Sequence, residues 1–130
     1  MQQHLGLWNL SNIPSWFSEG LAVYVSDGAG AEGVDREAAK KAIISGNSFT
    51  PVGTGSLLFP KGANYFGLKP GMFYKQAGLF VAWLCEQNKN YFKTLISSIQ
   101  SRETLEEAMF ISYGVSVLEN WESFTNEQKI

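Results

Sequence analysis

Apolar residues recur at three- and four-residue spacing along most of this chain, and strand signals are weak throughout, so helices are expected. The first runs from Pro14 to Ser26, with Pro14 in the first turn, where its missing N–H costs nothing. The glycines of Asp27 to Gly33 end it. Asp35 to Ser45 predicts a short second helix, with Ala38, Ala39, Ala42 and Ile43 on one face and Gly46 as its stop. Residues 49–71 hold three of the four prolines and predict a long irregular connection, with a turn of helix around Ser56 to Phe59. Met72 to Gln87 is apolar nearly all round and should be central. Asn90 is expected to cap a helix carrying Phe92, Leu95, Ile96 and Ile99. Thr104 with Glu107 forms a capping-box pattern before Ala108, Met109 and Ile111. Gly114 breaks the chain. Ser116 with Glu119 repeats the box ahead of Trp121 and Phe124. The expected fold class is mainly α, an irregular multi-helix arrangement in one domain spanning 1–130.

Composition sharpens this picture. The chain has 130 residues, 45% of them hydrophobic and only 17% charged, against about 25% charged in an average soluble protein. That composition is globular, and apolar enough that some surface is expected to meet another piece of protein. Net charge is −2 with no basic block, so nucleic acid is not an expected partner. The longest apolar run, Ala77 to Cys85, falls far short of the ~20 residues of a membrane span, so no membrane segment is expected. No signal-peptide pattern opens the chain, and no compartment follows from it. Cys85 stands alone and is expected to pack as a small hydrophobe.

One residue breaks the pattern of the first helix. Glu19 shares a face with Trp16, Ala22 and Val23, where a core-facing residue belongs. A buried ionised carboxylate needs a cation, a set of hydrogen bonds or a metal; otherwise the side chain reaches solvent at the helix rim. Gly20 beside it is also unusual. A glycine in mid-helix costs about 1 kcal/mol against alanine, and a close neighbour at that point would account for it.

The stretch "IPSWFSEGLAVYV" resembles the segment of gluzincin zinc metallopeptidases that carries their third zinc ligand. Ile13, Pro14, Trp16, Glu19, Gly20, Leu21, Ala22 and Tyr24 match its pattern. "FYKQAGLFVAWLCEQ" is similar to the helix that follows in aminopeptidase-type and peptidase-MA-like members. "ETLEEAMFISYGVSVLENWESF" resembles their closing helices, with Gly114 and Trp121 in structural places. The resemblance implies the C-terminal helical subdomain of such a domain. It implies that Glu19 is a metal ligand and that Tyr74 donates a hydrogen bond to the substrate's oxyanion. Trp16, Gly20 and Tyr24 would support the ligand helix.

The same resemblance exposes a gap. A gluzincin takes two zinc-binding histidines and a general base from His-Glu-x-x-His on a helix, and this chain has one histidine, His4. In aminopeptidase-type relatives the second histidine precedes the ligand glutamate by roughly 19 residues, which falls just before Met1. The opening residues are therefore expected to continue the active-site helix. His4 reads as a surface or capping residue. No zinc is expected on this chain, although a full-length relative would hold it. Other constellations are weak. Gly53 to Ser56 lacks the phosphate-loop lysine. Asp35, Glu37, Glu106 and Glu107 do not pair convincingly. Ser15 and Ser18 have no histidine nearby.

Two functions follow as expectations. One is an incomplete zinc-metallopeptidase-like domain, cleaving peptide or protein substrates only in a full-length context. The other is a non-catalytic helical binding module on a degenerate peptidase scaffold. Exposed apolar faces on the first and central helices, including the Trp16 side, are expected to drive homo-oligomer formation.

Overall fold

A computed structural model describes residues 13–26, 31, 33–51 and 63–129. The described residues are mainly helical, with six α-helices and no strand. These are α1 (Ser15–Ser26), α2 (Arg36–Ile44), α3 (Pro70–Gln87), α4 (Lys89–Gln100), α5 (Leu105–Tyr113) and α6 (Val117–Gln128). A 3₁₀ turn at Ala63–Phe66 precedes α3. His4 and the turn expected around Ser56 to Phe59 lie outside the described residues. No helix among the described residues is long and apolar enough to cross a membrane.

Local chemistry starts and stops these helices. Asp35 accepts the Ala38 N–H at 2.7 Å and caps α2. After Ser45, Gly46 adopts φ +86°, so its N–H reaches the Ile43 carbonyl while the Asn47 N–H reaches that of Ala42. That pairing closes the helix end, and the left-handed residue it needs is one glycine adopts without steric cost. Thr104 with Glu107, and Ser116 with Glu119, form complete capping boxes on α5 and α6. Each such cap stabilises its helix by about 1 kcal/mol.

The first two helices lie within one residue of expectation at each end, and two other boundaries differ by two residues. The central helix begins at Pro70, two residues early, because a proline suits the first helical position. The cap of α4 is Asn88, whose side chain accepts the Tyr91 N–H at 3.0 Å, and Asn90 lies inside the helix. Asn88 is extended (φ −164°, ψ 108°) and ends α3 as it starts α4. With both helices meeting at one residue, no second asparagine is left to act as a cap.

The core lies around α3, which packs against α1, α2, α4, α6 and the 3₁₀ turn. Its Phe73, Ala77, Phe80, Val81 and Leu84 are buried. Phe80 is the hub, with ring centroids 5.3 Å from Trp16, 5.1 Å from Trp121 and 5.3 Å from Phe124. Phe49 closes the other side, 5.7 Å from Trp16 and 4.8 Å from Trp121. The expected exposed Trp16 face is therefore absent. Trp16 is 1% exposed, because Phe17, Phe49 and Phe80 of its own chain cover it. Large apolar side chains left in solvent include Val25 at the end of α1 and Phe110, Ile111 and Leu118 on α5 and α6.

Phe49 is held in place by a buried amide. Gln76 is fully buried; its Oε1 accepts the Phe49 N–H at 3.3 Å and its Nε2 donates to the Asn47 carbonyl at 3.0 Å. Gln76→Leu leaves the buried Phe49 N–H unpaired, while the exposed Asn47 turns its carbonyl to water. The expected loss is about 1–3 kcal/mol, read as a lower urea midpoint at unchanged slope. An unaltered midpoint would show that this amide does not anchor the segment.

Candidate functional site

Helices α1 and α3 lie side by side in the same direction: Glu19, Gly20, Val23 and Tyr24 meet Tyr74, Ala77, Gly78 and Cys85 in ascending order. Two glycines set the spacing. A Cβ on Gly20 would stand 2.6 Å from the Ala77 carbonyl oxygen and 2.8 Å from a Val81 methyl. A Cβ on Gly78 would stand 2.6 Å from a Val23 methyl. Each glycine thus admits the opposite helix into the space a side chain would fill. This is the close neighbour that accounts for a glycine in mid-helix.

The crossing determines what happens to the adjoining side chains. The face of α1 turned into the core is Trp16, Phe17, Gly20 and Val23. Glu19 lies at the edge of that face, partly buried, and Ala22 is exposed. Glu19 is therefore on the margin of the core and not within it. Tyr74 lies one turn before Ala77 on α3, also partly buried. The two side chains face each other, close enough for the carboxylate charge to act on the phenol.

That contact keeps the Tyr74 proton in place. Its pKa is raised, first by the negative charge of Glu19 and then by burial. Ionising the phenol would set two negative charges together. Tyr74 thus remains a neutral donor at any pH near neutrality. Since the native state holds this proton more tightly than the unfolded chain, its stabilisation is complete below about pH 10. It fades as pH rises through the raised native value.

The remaining site residues fall in different places. Trp16 lies one turn before Glu19 and packs into the aromatic core against Phe80. Tyr24 does not support Glu19. It is 38% exposed and lies toward Cys85, further along α3. Cys85, burial and Glu86 together raise its pKa. Helical geometry explains this: five residues on, a side chain projects about 140° away. Ser18, beside Glu19, has a buried hydroxyl that makes no hydrogen bond among the described residues.

Among the described residues no group of three His, Cys, Asp or Glu side chains could hold a metal ion. Glu19 contributes one carboxylate, and the group it meets is a protonated phenol. This donor set does not fit zinc. Comparison with known proteins adds no relative: no family model, curated protein or solved structure matches this chain.

Proposed function

We propose that this chain is the C-terminal, mainly helical part of a gluzincin-like zinc metallopeptidase domain. In a full-length context Glu19 is the carboxylate that faces the metal, and Tyr74 is the donor to the oxyanion that develops on a substrate peptide carbonyl. The observation that carries the reading is the Glu19–Tyr74 contact. The two residues assigned these roles, on separate helices, meet at one edge of the core. The phenol retains its proton there, as a hydrogen-bond donor must. The glycine crossing supports it, because Gly20 belongs to the same motif as Glu19 and sets the distance between the helices.

By itself the chain hydrolyses no peptide, since it lacks the remaining ligands and the general base. The missing donor set favours a second reading, a helical interaction module on the same scaffold. The reading frame upstream of the Met1 codon separates the two. An in-frame His-Glu-x-x-His, its second histidine roughly 19 residues before Glu19, is expected from the first. A stop codon directly upstream, with initiation at Met1, overturns it in favour of the second.

A further inference from the structure

The far end of α3 carries a second feature, about 20 Å along the helix from Tyr74. A groove of about 370 Å³ opens between the end of α3, the start of α4, and α5 and α6. Three aromatic side chains line it: Trp83, Tyr91 and Tyr113. Trp83 is fixed. Its ring stacks on Phe80 at 6.0 Å and 21°, and its Nε1–H donates to Glu127 Oε1 at 3.1 Å. Tyr113 is fixed too, because its hydroxyl donates to the Leu84 carbonyl. Tyr91 meets Tyr113 edge to face at 5.5 Å and remains 46% exposed.

Around these rings lie the amides of Gln87, Asn88 and Asn120, the Ser123 hydroxyl and the Glu127 carboxylate. Glu127 is the one charged residue in the lining among the described residues, and the indole bonds one of its oxygens. Asn120 is 8% exposed. Its Nδ2 donates to the Met109 sulfur at 3.2 Å, and its Oδ1 has no hydrogen-bond partner among the described residues. Aromatic faces attract cations, and acceptors paired with a carboxylate call for N–H donors.

We propose that this groove binds a guanidinium group, as carried by an arginine side chain. A guanidinium is flat, so it lies against the rings of Tyr91 and Trp83 while its in-plane N–H groups reach Glu127 and Asn120 Oδ1. A lysine ammonium is compact and strongly hydrated, and cannot stack and donate in one plane. The groove is separate from the Glu19–Tyr74 contact and does not depend on the function proposed for it.

The test follows the Trp83 indole N–H by NMR during titration with three probes: methylguanidinium, free arginine and a capped arginyl peptide. All three are expected to shift that resonance, with a capped lysyl peptide at least about tenfold weaker. The peptide binding tighter than free arginine identifies a protein segment as the source; the reverse identifies the free amino acid. Glu127→Gln and Tyr91→Ala alter exposed side chains, and each is expected to weaken binding about tenfold. An unmoved indole signal at millimolar methylguanidinium overturns the proposal. So does equal binding of the lysyl peptide, or undiminished binding by both variants.

Discussion

Phe80→Ala is expected to cost about 3–5 kcal/mol, the range for removing a fully buried aromatic ring. The ring touches Trp16, Trp83, Trp121 and Phe124, from three different helices, and is 0% exposed. Its neighbours are themselves large rings, locked against one another, so collapse into the space is limited. A domain of this size is typically stable by about 5–15 kcal/mol, and the variant should lie close to unfolding at room temperature. Phe80→Leu retains most of the volume and should lose far less, within about 1.5 kcal/mol. Urea unfolding of both variants checks this. A loss below 1 kcal/mol for the alanine variant would mean that α1, α3 and α6 do not share one core.

Gly20→Ala is expected to destabilise the chain, although alanine is the better helix former by about 1 kcal/mol. The new methyl meets the Ala77 carbonyl at 2.6 Å, and a backbone oxygen inside a helix cannot swing aside. Val81 blocks a second direction at 2.8 Å. The helices must separate, at about 2–3 kcal/mol for a clash with backbone, so the net change is a loss of about 1–2 kcal/mol. The second consequence is local. As α1 moves off α3, Glu19 recedes from Tyr74 and the phenol pKa falls toward its ordinary value. Ala22→Gly, on the exposed side of α1, is the control. It should lose about 1 kcal/mol through helix propensity alone and leave Tyr74 untouched. A Gly20→Ala variant more stable than the parent would show that the two helices do not approach this closely.

The parts of this architecture readable in advance were those determined by neighbours in the chain. Thr104 with Glu107 and Ser116 with Glu119 satisfy their own helix starts, so their spacing is sufficient evidence of them. Asn88 and Asn90 show the limit of that logic. Both are good caps two residues apart, and only the corner between α3 and α4 selects the first. Trp16 shows another limit. Its apolar face was expected to await a partner, yet the cover is Phe49, from a proline- and glycine-rich connection with no periodicity. Gln76 is a polar position on an otherwise apolar helix, and its role depends on backbone groups brought in from Asn47 and Phe49. At the candidate site, periodicity raised the question of Glu19 and of Gly20 but could not supply the partner helix. Tyr74 entered through resemblance alone, because the parallel packing of α1 on α3 is a property of the whole fold. The aromatic groove has no signature in the sequence, because its three rings come from three different helices.

The contact between the Glu19 carboxylate and the Tyr74 phenol is what the proposed function stands on, and it can be measured directly. Labelled tyrosine ring carbons, followed by NMR through an alkaline titration and assigned with Tyr74→Phe, report the Tyr74 pKa. The phenol should titrate above the ordinary tyrosine value, and Glu19→Gln should bring it down by removing the facing charge. A Tyr74 that titrates at the ordinary value in the parent chain, or that ignores Glu19→Gln, would contradict the account.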